Sequence, residues 1–299
     1  MKLSLQTLER FSRLTRHKQC IARLHQNRRY SQYSSDIYNK HLEKSLKNPE
    51  EYWGEISSNV VWTKKWNKVL DNSNSPFVKW FVDGELSLCY NAVDRHVDEG
   101  FGDQTALIWD SPITGAKRLI SYRELQDSVA RVAGLLAAMG VQKGDRVMVY
   151  MPMIPETIIS MLAVIRLGAV HSVVFGGFAA KELAVRIRHC EPRVIISASC
   201  GIEPGRVVEY KPNVDEAIRL AGAEARVRSL VYQRAEAPAQ LGPGDTVWQE
   251  AVAGARPHDC VAVTSDHPLY ILYTSGTTGQ PKGVQHPTGG HAVVNKVKI

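Results

Sequence analysis

Cysteine is scarce in this chain, and none of it is paired locally. Five cysteines (Cys20, Cys89, Cys190, Cys200 and Cys260) are scattered through 299 residues, an odd number without a Cys-x-x-Cys spacing. That distribution argues against a disulfide framework or a zinc site and fits a reducing compartment. Long apolar runs are missing as well. A membrane helix needs roughly 18 or more uninterrupted apolar residues, and the best candidate, TIISMLAVIRLGAV, is short and carries Arg166. No stable membrane span is expected.

Acidic residues are nearly absent from one end. Residues 1–35 hold eight Lys or Arg (Lys2, Arg10, Arg13, Arg16, Lys18, Arg23, Arg28, Arg29) against a single acid, Glu9. The formal charge of the whole chain is +7, so the remainder is balanced, with 29 basic and 29 acidic residues. A basic nucleic-acid face therefore has no support once this segment is set aside. The segment itself is rich in Arg and Ser and repeats Leu8, Phe11, Leu14, Ile21 and Leu24 at helical spacing. This is the composition of a mitochondrial transit peptide, an amphipathic cation drawn inward by the membrane potential. RRYS, from Arg28 to Ser31, resembles a matrix-processing site, and the expected location is the mitochondrial matrix. A solvated basic helix or a surface anchor is the alternative.

From 36 to 94 the chain reads as a small cap of short helices and loops, with Trp53, Trp62, Trp66 and Trp80 as packing residues. SLCYNAVDRHVDEG reads as a helix ending at Gly100. TALIWD and RLISY are hairpin partners across SPITG. SYRELQDSVARVAGLLAAMG opens with a capping box, Ser121 and Glu124, and ends at Gly140. After it come the strand RVMVYMP, the helix PETIISMLAVIRLG, the strand AVHSVVFGG, the helix AAKELAVRIRHC and the strand RVIISAS. The helix NVDEAIRLAG, the strand VRSLVYQ and the strand LYILYTSG complete the series, and QRAEAPAQLGPGDT reads as a surface loop. Strands joined by helices in this way predict a doubly wound parallel sheet with flanking helices.

The last strand delivers TSGTTGQPKG. Thr274, Ser275, Thr277 and Thr278 offer hydroxyls, while Gly276 and Gly279 let backbone N–H groups approach an anion closely. Lys282 adds a point charge. Together these suit the β- and γ-phosphates of ATP. A Walker A loop is excluded, because the two glycines are too close and Lys282 is followed by Gly283. No Gly-x-Gly-x-x-Gly lies between a strand and a helix, which removes a dinucleotide fold.

YTSGTTGQPKGV resembles the phosphate signature of the AMP-forming adenylating enzymes, which include acyl-CoA synthetases, luciferases and the adenylation domains of peptide synthetases. GAVHSVVFGGFAAKEL is similar to the acetate- and propionate-activating branch. His171 within it reads by itself as a core histidine. In that branch an Arg-containing loop contacts the nucleotide end of coenzyme A, and Glu203, Pro204, Gly205 and Arg206 fall at that place. Arg206 is the implied phosphate partner, and Glu203 stands where acetyl-CoA synthetases carry a basic residue. On local grounds the tetrapeptide is also an ordinary surface turn.

The resemblance implies a two-step ligase. A small carboxylate attacks Mg-ATP to give an acyl-adenylate, and coenzyme A then takes the acyl group; ATP, Mg2+ and coenzyme A are the implied substrates and cofactors. It also implies a division into a leader (1–35), a cap (36–94) and an incomplete AMP-binding domain (95–299). The fold implied is the N-terminal part of the adenylating large domain, preceded by the helical cap and a disordered or helical leader. In that family the acyl pocket, the Mg2+ motif and the catalytic lysine come later in the sequence. No catalytic residue and no metal ligand is therefore assigned in this chain, and the expectation for the chain alone is weak nucleotide or coenzyme A binding without turnover.

Overall fold

A computed structural model describes residues 36–274 and 279–297. The expected leader, 1–35, lies outside the described residues. The rest divides into two compact units, one running to Asn59 together with Lys296, and the other Val60–Asn295.

In the first unit residues 36–47 are helical, and helix α1 (Pro49–Ser57) follows. Pro49 stands in the first turn, where its missing N–H has no helical partner to lose, and Glu50 and Glu51 face the positive end of the dipole. His41 Nδ1 is 2.9 Å from the Tyr52 hydroxyl, and Tyr52 meets Trp53 edge to face at 4.9 Å.

The second unit begins with a difference from expectation. Residues 60–94 are not only helices and loops, since β1 (Lys68–Asp71) and β2 (Lys79–Val82) form an antiparallel ribbon. Its strands are too short to show a period. Trp62, Trp66 and Trp80 surround the buried Phe81 at centroid distances of 5.5, 6.2 and 6.1 Å, so aromatic packing across the segment stabilises the ribbon. After β3 (Glu85–Leu86) the chain enters helical structure with two π-helical stretches, Tyr90–Asp94 and Val97–Phe101. It ends at Gly100 and Phe101, where Gly100 takes φ +88°.

β4 (Thr105–Ser111) and β5 (Ala116–Ser121) pair as the expected hairpin. Ser121 caps α2 (Tyr122–Ala138): its Oγ accepts from the Glu124 N–H, and the Glu124 carboxylate accepts from the Ser121 N–H at 2.7 Å. β6 (Arg146–Met151), α3 (Pro155–Arg166), β7 (Val170–Phe175), α4 (Ala180–Cys190) and β8 (Val194–Ala198) follow. A small hairpin, β9 (Cys200–Glu203) with β10 (Arg206–Glu209), precedes α5 (Lys211–Ala221) and β11 (Arg228–Tyr232).

The stretch read as a surface loop ends in a strand, β12 (Asp245–Val247), leading into α6 (Trp248–Ala253). Its three residues leave no periodic signal, and Asp245 is held by the buried Lys211 at 2.8 Å. After β13 (Val263–Thr264) come β14 (Pro268–Thr274), β15 (Lys282–Pro287) and α7 (Thr288–Val294).

The main sheet has the order β12-β11-β8-β6-β7-β14-β15. All neighbours are parallel except β15, an antiparallel edge strand on β14. Alternate residues of β6 feed two cores. Val147 and Val149 join Val132, Leu136, Ile159 and Val164 of α2 and α3, while Met148 and Tyr150 join Leu183, Ile187 and Val214 of α4 and α5. A strand buried on both faces reads as a continuous apolar run, which is what RVMVYM shows. Each such side chain contributes about 1.5–3 kcal/mol by its removal from water.

The chain leaves β6 toward β7 on one side and returns from β7 to β8 on the other. The order reverses there, so α3 and α4 lie on opposite faces of the sheet, each beginning at the carboxyl end of the strand before it. Open α/β sheets bind ligands at such a reversal.

Candidate functional site

Of the residues singled out for phosphate, Thr274, Gly279 and Lys282 are described, and they lie at this carboxyl end. Thr274 closes β14 and Lys282 opens β15, and the two are direct cross-strand partners, both exposed. The loop between them is therefore the turn of a β-hairpin. Gly279 adopts φ +78°, a value that only glycine takes without strain. Ser275, Gly276, Thr277 and Thr278 lie outside the described residues. Tyr270 of β14 pairs in parallel with His171 of β7, so β14 sends its carboxyl end the same way as β6 and β7.

The next loop of this end joins β7 to α4 through Gly176 and Gly177. Tyr150 clips it: its hydroxyl accepts from the Gly177 N–H at 3.2 Å and donates to the Phe178 carbonyl at 2.8 Å. Tyr210 wedges in beside it. A Cβ on Gly176 would lie 2.5 Å from the Tyr210 hydroxyl, and one on Gly201 would clash with the same group. Glycine at both places lets the aromatic ring sit between two backbones. Burial pushes the Tyr210 hydroxyl up to about 12 and also raises Tyr150, so both act as neutral hydrogen-bonding groups.

Glu203, Pro204, Gly205 and Arg206 form the tip of the β9–β10 hairpin, with Glu203 and Arg206 as cross-strand partners. Gly205 takes φ +76° at the turn. The Arg206 guanidinium bonds to the Glu203 carboxylate at 2.6 Å, and both side chains are exposed. The tip is at the same end of the sheet, since a Cβ on Gly177 would be 3.9 Å from Glu203 Oε1.

Beneath the β14–β15 turn, Arg186 of α4 stacks on Phe178 and Tyr273 at 4.9 and 5.6 Å, and His189 Nδ1 is 2.8 Å from the Tyr273 hydroxyl. The start of α4 and the start of α3 both face this end, which adds the positive poles of two helices. An anion is what this arrangement suits. His171 is a core residue, as its surroundings in sequence suggest. It is buried, stacks on Tyr270 at 5.5 Å, and burial drives it down to about 4. The Tyr150 clip and the Tyr210 wedge were not read from the sequence, where Gly176–Gly177 carried the only local sign of a turn.

The sequence profile described as AMP-binding enzyme matches residues 94–298. The chain belongs to the AMP-binding enzyme family. A second profile, that of the acetyl-coenzyme A synthetase N-terminus, matches residues 38–92. Among AMP-binding relatives, the human protein named acyl-CoA synthetase short-chain family member 3, mitochondrial, is 51% identical over 269 residues, which cover 89% of this chain and 39% of that protein. Acetyl-coenzyme A synthetase of Streptomyces coelicolor is 46% identical over 80% of this chain and 37% of its own length. The solved acetoacetyl-CoA synthetase from Streptomyces lividans superposes with a TM-score of 0.75 at 26% identity, covering 85% of this chain and 38% of that one. The chain thus spans about two fifths of the length of the relatives it matches. No helix among the described residues is long and apolar enough to cross a membrane.

Proposed function

We propose that the chain supplies the phosphate-holding part of an AMP-forming short-chain acyl-CoA ligase, acting on propionate or acetate, Mg-ATP and coenzyme A. The observation that carries this is the hairpin turn from Thr274 to Lys282, set at the end of the sheet where the strand order reverses. In the first step a carboxylate oxygen attacks the α-phosphorus of Mg-ATP, and charge builds on the departing pyrophosphate. Lys282, the hydroxyls of Thr274, Ser275, Thr277 and Thr278, and the N–H groups at Gly276 and Gly279 stabilise that charge. In the second step the thiol of coenzyme A attacks the acyl carbon and AMP leaves.

Arg206 contacts a phosphate of coenzyme A in this reading. Its present bond to Glu203 joins two exposed side chains, and such pairs contribute only about 0–1 kcal/mol, so a phosphate competes with it readily. The leader, residues 1–35, directs the chain to the mitochondrial matrix; the human and rat relatives are named mitochondrial. A cap of 36–94 and an AMP-binding part of 95–299 complete this reading, and the profile matches to 38–92 and 94–298 support it.

Exchange of labelled pyrophosphate into ATP by the full chain, with acetate or propionate present, tests the ligase step. Carboxylate-dependent exchange supports adenylation by this chain. Nucleotide binding without exchange supports the narrower reading of a non-catalytic binder, and no binding of either ATP or pyrophosphate contradicts both.

A further inference from the structure

The fold brings together two cysteines that are widely separated in sequence. Cys89 lies in the helical segment after β3, and Cys260 lies on the irregular strap that leads from α6 to β13. Their Sγ atoms and a carboxylate oxygen of Asp94 all lie within 4.8 Å of one another. Cys89 is fully buried and Cys260 is partly exposed.

A metal ion fits this cluster poorly. Arg166 donates to both oxygens of Asp94 at 2.8 and 3.0 Å, and Gln126 donates to Asp94 Oδ1 at 3.0 Å. The same guanidinium is 3.5 Å from Cys89 Sγ. A permanent cation therefore already occupies the place where a metal would have to sit, and the carboxylate is already used. Thiol chemistry is what remains.

We propose that Cys89 and Cys260 form a redox-active pair, in which a hydroperoxide oxidises Cys260 and Cys89 resolves it to an intramolecular disulfide. Access favours this order, because only Cys260 is partly open to solvent. Electrostatics favours it too. The neighbouring Cys89 thiol, and then the Arg166 charge, hold Cys260 below the usual thiol range against its burial and against Asp94, whose Oδ2 lies 3.4 Å from Cys260 Sγ and whose charge opposes ionisation. Cys89 is instead pushed well up by its Cys260 neighbour and by burial.

The Cys260 thiolate attacks a peroxide oxygen; the S–O bond forms, the O–O bond breaks, and the leaving hydroxide takes a proton to become water. Cys89 sulfur then attacks the sulfenic sulfur; the S–S bond forms, the S–O bond breaks, and hydroxide leaves with the Cys89 proton as a second water. Two thiols lose two electrons and one hydrogen peroxide accepts them. The sulfurs must close to about 2.05 Å. The strap has no regular structure of its own but is tied on both sides of Cys260, by the His258 N–H on the Ala130 carbonyl at 2.9 Å and by the Val261 N–H on the Arg166 carbonyl at 2.8 Å, so the closure falls to the two cysteine side chains.

The test is one equivalent of hydrogen peroxide on the reduced full chain, followed by alkylation and peptide mapping without reductant. The expected result is a peptide joining Cys89 to Cys260, loss of two thiols per chain, and recovery of both with dithiothreitol. Cys190, which burial pushes up to about 11, and the buried Cys200 stay alkylatable as internal controls. Cys89→Ser strands Cys260 as a sulfenic acid that dimedone traps, and Cys260→Ser abolishes the thiol loss. A wild-type chain that accumulates dimedone-reactive or sulfinic Cys260 with no cross-linked peptide overturns the proposal, as does a cross-link from Cys260 to another cysteine. These wild-type outcomes decide the matter even if a variant fails to fold.

Discussion

The two ends of the main sheet both carry positive charge, and the proposed function gives only one of them to a phosphate. At the amino end a cavity of about 660 Å³ is lined by Arg146, Arg193, Arg226 and Arg228. Three of these guanidiniums bond backbone carbonyls where α2 and α4 end: Arg146 to Cys190 at 2.9 Å, Arg193 to Gly140 at 3.1 Å, and Arg228 to Met139 at 3.4 Å. Arg226 faces Glu191 at 3.7 Å. Those arginines offset the negative poles of two helices. At the carboxyl end the polarity is reversed. Helices begin there, glycines open the backbone, and among the described residues no carboxylate pairs with Lys282. Cavity size and arginine count favour the amino end, and helix direction favours the carboxyl end, the one proposed here for phosphate.

Any test of the two ends depends on the sheet between them, and the largest effect expected is on its stability. His171 sits in that sheet with its proton affinity lowered from 6.5 to about 4, so the unfolded chain binds a proton more readily than the folded one. Stability is therefore full above pH 6.5 and falls as pH drops toward 4, by about 3 kcal/mol in all. Urea midpoints at pH 7 and pH 4.5 check this, and His171→Phe, which keeps the ring stack, should lose less on acidification.

Next in size, the carboxyl end can be broken directly. Gly201→Ala drives a methyl group into Tyr210, and overpacking of this kind costs about 1–3 kcal/mol. Thermal unfolding would measure it. Lys282→Ala should weaken binding of Mg-ATP by roughly ten- to a hundredfold, the worth of a charge-assisted hydrogen bond, with little change in unfolding midpoint. Smallest of all, Arg193→Ala at the amino end should leave nucleotide affinity unchanged and cost at most about 1 kcal/mol, because its side chain is 55% exposed. A drop in nucleotide affinity with Arg193→Ala, rather than with Lys282→Ala, would reverse the comparison.

What could be read beforehand follows the range of the interactions. The capping box at Ser121 and Glu124, the glycine stops at Gly100 and Gly140 and the apolar run of β6 are local patterns, and local patterns show in sequence. β12 and the β1–β2 ribbon are short, β15 is exposed along most of its length and carries no apolar pattern, and each is held by a partner that spacing cannot reveal: Lys211 for Asp245, β14 for β15, and the tryptophans around Phe81. The Tyr210 wedge and the Cys89–Cys260 approach bring together residues remote in the chain, so the scattered cysteines looked unrelated.

The central claim is that phosphate is received at the carboxyl end through the β14–β15 turn. Hydrogen exchange of the full chain with and without Mg-ATP tests it most directly. The account predicts slowed exchange across residues 274–283 and at the Gly176–Gly177 turn, with residues 139–146 and 191–193 unchanged. Protection confined to the arginine-lined amino end, with the hairpin turn unaffected, would contradict it.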